Sequence, residues 1–299
     1  MSPRIAFIGF GEAGQAIAAG LREDGVSQIA AWDTLFPNAE GTELIAAAKA
    51  TGVRVASSAA DAVREADTVI AAVTAASSYE AAQSVTSHLQ GKPFYLDVNS
   101  VSPGRKQATA NLLGDTARYV DVAIVSAIYP ARHKSPMMLA GPHAAEAEPV
   151  LAALGMKTQI VGDETGAAAA IKMIRSVMIK GIEALTLECF LAASRAGVAD
   201  QVAASLHNNY PGVDWQNMSE YNIERMVSHG IRRAAEMREV ADTLRELGID
   251  PMMTVGTIER QQQLGEIGRL PGVSEAVARG RDAMLEAIGK TRKAASGTP

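Results

Sequence analysis

Two features of this sequence can do chemistry together: a glycine triplet near the start of the chain and a lysine set in an apolar run past its middle. The triplet is Gly9-Phe10-Gly11-Glu12-Ala13-Gly14, which follows the short apolar run Arg4 to Gly9 and opens a helical pattern. Between a strand and a helix each glycine has a task. Gly9 permits the tight turn, Gly11 lets the backbone approach a pyrophosphate, and Gly14 lets helix and strand pack closely. The amides of the first helical turn, at Glu12, Ala13 and Gly14, together with the positive end of the helix, would hold the phosphates. Asp33 follows about twenty residues on, where the dinucleotide fingerprint places an acid. A carboxylate there accepts hydrogen bonds from the adenosine ribose and repels a 2′-phosphate, which favours NAD over NADP. Its neighbours are Trp32 and Thr34, so no arginine sits beside it. A turn or cap aspartate is the competing reading. The lysine is Lys172, in Gly166-Ala-Ala-Ala-Ala-Ile-Lys172-Met-Ile-Arg-Ser176. Burial would lower its pKa toward neutrality and suit it to general acid/base work. A lysine that extends its head to solvent fits the periodicity equally well.

The elements that must position these residues alternate. Strand patterns cover 4–9, 28–32, 53–55, 67–73 and 94–97, then 118–124, 137–140 and 157–161. Helical patterns cover 12–24, 40–50, 59–66 with Ser58 as N-cap, 78–89 and 143–154. This alternation predicts an α/β, Rossmann-type doubly wound parallel sheet over 1–162. From 163 to 299 the pattern is helical only: a long segment over 164–193, then 197–207, 215–247, 251–267 and 273–288. Ile171, Ile174, Met178, Ile182, Leu185 and Phe190 predict that the long helix is largely buried. Residues 294–299 read as a frayed tail.

Composition narrows the function. A net charge of −5, with 47% hydrophobic and 20% charged residues, offers no basic stripe for nucleic acid and no polybasic patch for a membrane. The single cysteine, Cys189, fits a reducing cytoplasm and reads as a buried helix residue. No run approaches a membrane span of roughly 20 apolar residues. The start of the chain leads straight into a strand pattern, which leaves no room for a signal peptide. The five histidines show no metal-ligand spacing, and no metal site is expected.

The ordered motifs resemble those of the β-hydroxyacid dehydrogenases: 3-hydroxyisobutyrate dehydrogenase, tartronate semialdehyde reductase and 6-phosphogluconate dehydrogenase. Beside the glycine triplet, Leu96-Asp97-Val98-Asn99-Ser100-Val101-Ser102-Pro103 is similar to the family's substrate-binding D-x-x-S segment. Asp121-Val122-Ala123-Ile124-Val125-Ser126-Ala127 is similar to its D-A-P-V-S-G-G segment, and Gly166 to Lys172 to its G-x-G-x-x-x-K motif on a long interdomain helix. The resemblance covers roughly residues 4–195. It implies that Lys172 is the catalytic acid/base, that Asn99, Ser100 and Ser126 meet substrate, and that Val73 and Thr74 sit by the cofactor ribose. It implies a homodimer as well, which the extended apolar helices also suggest.

There are departures. Ser176 stands where the family has asparagine and would hydrogen-bond substrate with shorter reach. Ala127-Ile128 replace glycines. The late lysine–aspartate pair falls at Ala235-Glu236. The stretch from Lys172 to Leu185 is similar to a less characterised branch with its own C-terminal helical domain. The expected activity is hydride transfer between NAD(P) and a small hydroxy-acid-like substrate. Imine reductases of the same architecture lack this lysine, and a protein that binds NAD(P) without turnover is the reading from another class. Arg132, His133 and Lys134 are weaker candidates for an anionic substrate, and His207, His229 and Arg232 for pocket residues; a solvated loop, a cap and a solvated face compete with them.

Overall fold

After the exposed Arg4, the strand β1 (Arg4–Ile8) buries both faces: Ile5 and Phe7 on one side of the sheet, Ala6 and Ile8 on the other. That is the signature of a parallel strand covered on both faces by helices. The computed structural model describes residues 3–296, with side chains to residue 291. After β1 come α1 (Glu12–Glu23), β2 (Gln28–Trp32), α2 (Thr42–Ala50), β3 (Arg54–Val55), α3 (Ala59–Val63) and β4 (Thr68–Ala71). The alternation continues with α4 (Ser78–Thr86), β5 (Phe94–Asp97), α5 (Pro103–Leu113), β6 (Arg118–Ile124), β7 (Met137–Ala140), α6 (Ala144–Ala153) and β8 (Thr158–Gly162). Ser58 caps α3 by accepting from the Asp61 amide at 3.0 Å, as expected.

The eight strands form one sheet in the order β3-β2-β1-β4-β5-β6-β7-β8. It is the doubly wound arrangement expected, with one difference. β7 runs antiparallel to β6, and β8 is parallel to β7. A parallel return needs a crossover of a dozen or more residues, usually a helix. Between β6 and β7 there is only a loop with a 3₁₀ turn at Arg132–Lys134, so the chain folds straight back. The register aligns Ile8 with Trp32 and Ala71, Ala71 with Asp97, and Asp97 with Asp121. The loops after β1, β2, β4, β5 and β6 therefore all open at one edge, where open α/β sheets bind ligands.

α5 is absent from the sequence expectation. Its start is marked by Ser102, whose hydroxyl accepts from the Arg105 amide at 3.3 Å, and by Pro103 in the first turn.

The helical remainder comprises α7 (Ala167–Ala196), α8 (Ala199–Asn209), α9 (Trp215–Glu246), α10 (Met252–Ile267), α11 (Pro271–Ser274) and α12 (Arg281–Ser296). The chain divides into two compact units, residues 1–173 and 174–299, and the division falls inside α7. In the second unit α9 and α10 touch backbone to backbone: a Cβ on Gly230 would lie 2.3 Å from the Gln261 carbonyl, and one on Gly268 2.2 Å from that of Val227. The helix expected over 273–288 is broken in two at Gly280, whose φ of +88° no ordinary helix residue adopts. α12 continues to Ser296, into the stretch read as a tail; residues 297–299 lie outside the described residues.

α7 turns a different face to the core from the one its apolar spacing predicts. Of the residues taken to bury it, Ile171, Ile174, Met178 and Leu185 are exposed, Met178 at 64% and Leu185 at 60%. Ser176, Lys180, Glu183 and Thr186 are buried instead, beside Leu187 and Phe190. Hydrophobicity alone assigned the inner face to the wrong side. Cys189 is exposed for the same reason: it points away from the Leu187 and Phe190 face.

Candidate functional site

The glycine loop has the geometry its spacing predicts. Gly9 has φ +90°, and a Cβ there would lie 2.4 Å from the Ala72 carbonyl and 2.6 Å from the Val73 side chain. A Cβ on Gly14 would lie 2.7 Å from the Gly9 carbonyl, so α1 rests directly on the turn. Gly11 is different: a Cβ there would meet nothing within 4 Å. Its φ of −73° is ordinary, so the backbone does not demand glycine at this position. What glycine provides is open space in front of the first-turn amides of α1, which no side chain caps and which have no intrahelical acceptor. A pyrophosphate fits that combination of bare cradle and free donors.

Asp33 follows β2 and is half-buried. Its Oδ2 accepts from the Phe10 amide at 2.8 Å and its Oδ1 from the Leu35 amide at 3.0 Å. The carboxylate thus fixes the glycine loop against its own turn, and each oxygen keeps a lone pair for a further donor. Val73 and Thr74 follow β4 at the same sheet edge. The Val73 amide donates to Asn99 Oδ1 at 2.7 Å, and Thr74 Oγ1 lies 3.1 Å from Ser77 Oγ.

Asn99 and Ser100 follow β5. Asn99 is 5% exposed; its carbonyl serves Val73, and its backbone and side-chain N–H groups donate to Asp97 Oδ1 at 3.0 and 2.7 Å. It ties the ends of β4 and β5 together and leaves Ser100 projecting. Lys172 Nζ donates to Ser100 Oγ at 2.6 Å. Two residues that the resemblance assigns to the site, 72 positions apart in the sequence, are therefore in direct contact.

Under that contact lies a cluster that sequence reading missed. Lys106, on α5, is fully buried. Its Nζ donates to the Asp97 carbonyl at 2.5 Å and lies 3.1 Å from Asp97 Oδ1 and 3.4 Å from Asp121 Oδ1. Asp121 Oδ2 accepts from the amides of Gly166 and Ala169 at 3.1 and 3.0 Å, so a strand residue caps the helix that carries Lys172. Gly166 is needed there, since a Cβ would press on Pro103 at 3.1 Å. Tyr119 donates its hydroxyl to Asp97 Oδ2 at 2.8 Å. Burial, and then the charge of Asp97, push that hydroxyl well above the usual phenol range, which keeps it a donor. The signal for Lys106 was present, since Ser102-Pro103 opens a helix whose first turn ends at the lysine.

The other predicted residues stand apart from this contact. Ser126 is exposed in the loop after β6, its hydroxyl donating to the Ala127 carbonyl at 3.2 Å. Arg132, His133 and Lys134, later in that loop, each meet an acid of α1 or of the turn after it. Arg132 meets Glu23 at 2.5 Å, and His133 and Lys134 meet Asp24 at 3.0 and 2.7 Å. Hydrogen bonds from Lys134 and then His133 hold the Asp24 carboxyl below its usual range. Gly20 leaves room for the His133 ring, since a Cβ would sit 2.1 Å from Nδ1.

In the second unit Ser176 is buried and lies 3.5 Å from Lys180 Nζ, which pairs with Glu236 at 2.8 Å. Glu236 is the acid at the position expected for the family's late pair. It also pairs with Arg232, which is exposed. His207 is exposed near the end of α8, and His229 is half-buried on α9. Among the described residues no three His, Cys, Asp or Glu gather as a metal site, and no helix is long and apolar enough to cross a membrane.

Residues 4–100 match the model of NADP oxidoreductase, coenzyme F420-dependent, and residues 193–264 match a domain of unknown function, DUF1932. The chain is 34% identical to a conserved hypothetical protein from Sinorhizobium meliloti, with 97% of each chain covered and a TM-score of 0.78. It is 30% identical to a conserved protein of unknown function described as structurally similar to 3-hydroxyacid dehydrogenases, over 88% of this chain and 97% of that one, with a TM-score of 0.71. The fold is shared with 3-hydroxyisobutyrate dehydrogenase of Mycobacterium tuberculosis, at 18% identity, TM-score 0.73, over 96% and 99% of the two chains.

Proposed function

The chain belongs to the β-hydroxyacid dehydrogenase superfamily, and from that premise we propose that it is a nicotinamide-dependent dehydrogenase or reductase with Lys172 as its general acid/base. The substrate class is a small, polar, hydroxy-acid-like alcohol or its carbonyl counterpart. The observation that carries the reading is the 2.6 Å contact between Lys172 Nζ and Ser100 Oγ at the carboxyl edge of the sheet. It supports a lysine held in place beside a hydroxyl rather than one reaching for solvent, and imine reductases lack such a lysine.

Bound NAD(P) supplies the hydride acceptor or donor. In oxidation, Lys172 Nζ in its neutral form takes the substrate hydroxyl proton as the carbinol carbon gives up its hydride. In reduction, the ammonium returns that proton to the carbonyl oxygen. Ser100 orients both Nζ and the substrate oxygen, with Asn99 holding its loop. By the resemblance Ser126 and Ser176 also meet substrate.

The residues present fit the cofactor. Gly9, Gly11 and Gly14, with the amides of Glu12 and Ala13, hold the pyrophosphate, and Asp33 takes the adenosine ribose, which favours NAD. Val73 and Thr74 sit by the cofactor ribose. The assembly is a homodimer in the cytoplasm. The exposed stripe of Ile171, Ile174, Met178 and Leu185 supports self-association, because an apolar stripe of this length on one helix is the kind of surface that pairs.

The deciding experiment is Lys172→Ala, assayed with NAD and a panel of small hydroxy acids and titrated with NADH by fluorescence. Turnover falls about 10²–10⁴-fold while NADH affinity is unchanged. A variant that keeps full turnover overturns the assignment. In the same titration Asp33→Ala weakens NADH about tenfold or more, the size expected for a charge-assisted hydrogen bond. Tighter binding of NADPH than NADH by the wild type overturns the role given to Asp33.

A further inference from the structure

Lys106 has no part in the chemistry described above, yet it is one of the largest fully buried side chains of the molecule. A lysine in a fully buried position needs a reason. Methionine or leucine would fill the same space without removing an ammonium from water. Around it are two carboxylates, those of Asp97 and Asp121, both at 0% exposure. One cation and two anions leave a net negative charge. It is spread over the donors that remain: the Tyr119 hydroxyl and the two Asn99 N–H groups on Asp97, and the two α7 amides on Asp121.

The position of each carboxylate is what matters. Asp97 holds Asn99, the residue before Ser100. Asp121 caps α7 at Gly166 and Ala169, and Ala169 is one helical turn before Lys172. The contact of Lys172 with Ser100 therefore has two supports, which face each other where β5 pairs with β6, and the Lys106 ammonium bridges both. A closed ring results: Ser100 loop, Asp97, Lys106, Asp121, the start of α7, Lys172, and back to Ser100.

We propose that Lys106 is a positioning residue for the reaction: its ammonium locks the β5 loop to the start of α7 and so sets the distance and protonation of Lys172 against Ser100. The inference rests on the dehydrogenase reading. Removing the cation has two effects. The supports separate, and the uncompensated carboxylates favour the charged form of Lys172.

The test compares wild type with Lys106→Met and Lys106→Arg, after circular dichroism and thermal melts establish folding. Four quantities are measured: NADH affinity by fluorescence, kcat, KM, and the pH midpoint of Lys172 acetylation by acetic anhydride, read by mass spectrometry. Lys106→Met binds NADH within about twofold of wild type and loses about 10–100-fold in kcat, the scale of a small misplacement of a reacting group. Its KM changes far less, and its Lys172 midpoint rises. A folded Lys106→Met with wild-type kcat and midpoint overturns the proposal, because a merely space-filling lysine would behave so. If the methionine variant does not fold, Lys106→Arg decides. It keeps the charge, but its planar fork cannot donate from one point to the Asp97 carbonyl and both carboxylates. It loses about tenfold in kcat, and wild-type kcat there overturns the proposal. The acetylation midpoint needs no substrate. Failure of the dehydrogenase reading, seen as undiminished turnover in Lys172→Ala, is thus told apart from failure of the role given to Lys106.

Discussion

Each unit buries an ionic cluster, and the two are built differently. In the second unit Glu183 on α7 accepts from Arg233 on α9 through both Nε and a terminal nitrogen, and from Gln261 Nε2 on α10 at 2.8 Å. One cation meets one anion, side by side, and three helices are clamped. In the first unit Lys106 meets two carboxylates, and Asp121 Oδ1 has the ammonium at 3.4 Å but no hydrogen bond. The cluster in the second unit is balanced in charge. The one in the first unit is charge-unbalanced and leans on the start of a helix and on a loop that hold Lys172 and Ser100.

The largest expected effect tests that distinction. Arg233→Met leaves Glu183 buried without its cation and costs about 3–5 kcal/mol of stability, read as a fall in the urea midpoint. NADH affinity stays at the wild-type value. The double variant Glu183→Gln with Arg233→Met recovers most of the loss, because replacing both partners removes the unpaired charge. A parallel fall in NADH affinity in the single variant would erase the contrast between the clusters.

The glycine loop sharpens the comparison within the first unit. Gly9→Ala places a methyl 2.4 Å from a backbone carbonyl at φ +90°. It costs about 1–3 kcal/mol in backbone strain alone, and NADH binding is lost with the fold of the loop. Gly11→Ala meets no protein atom within 4 Å, so stability changes by less than about 0.5 kcal/mol. NADH affinity nonetheless falls about tenfold or more, because the methyl enters the space kept for the pyrophosphate. Two neighbouring glycines then separate a structural requirement from a binding one. Equal affinities for Gly11→Ala and wild type would remove the cofactor from this cradle.

A smaller effect concerns α7. Leu185→Glu puts a charge on the exposed apolar stripe and shifts sedimentation from dimer to monomer, with stability of the monomer altered by less than about 0.5 kcal/mol. An unchanged sedimentation coefficient would leave that stripe without a partner of its own kind.

Much of this was legible in the sequence for a physical reason. Parallel strands buried on both faces give continuous apolar runs, so β1, β2, β5 and β6 could be read within a residue or two. The glycine loop was legible because steric demands at Gly9 and Gly14 leave no alternative residue. α5 was not read, because Pro103, Gly104, Arg105 and Lys106 carry no apolar period, and its helical start rests on a cap and a proline rather than on hydrophobicity. With α5 went Lys106. The inner face of α7 was misread because it buries polar residues that find partners on α9 and α10, and sequence spacing cannot show partners some 50 positions away. The antiparallel turn into β7 was hidden because strand direction depends on the connection rather than on the strand.

The smallest effect lies at the rim of the sheet, where an ion pair meets water. Arg4 donates to Asp67 from its backbone amide at 3.0 Å and from its guanidinium at 2.8 and 3.2 Å. Those bonds hold the Asp67 carboxyl below its usual range, the side-chain bond from Arg4 contributing most. The group binds a proton less readily folded than unfolded. Its stabilisation is therefore fully present above the unfolded carboxylate value of about 3.9 and is lost as pH falls through the lower folded value. Both side chains are about half exposed, at 46% and 50%, so solvent screening limits the contribution to less than about 1 kcal/mol. Asp67→Asn should lower the urea midpoint slightly at pH 7, and the difference should shrink as pH falls through the lowered folded value of the carboxyl. A loss at pH 7 as large as that of Arg233→Met would mean that exposure does not separate rim pairs from buried ones here. A loss that does not shrink as pH falls would mean that the hydrogen-bond geometry of the carboxyl matters and its charge does not.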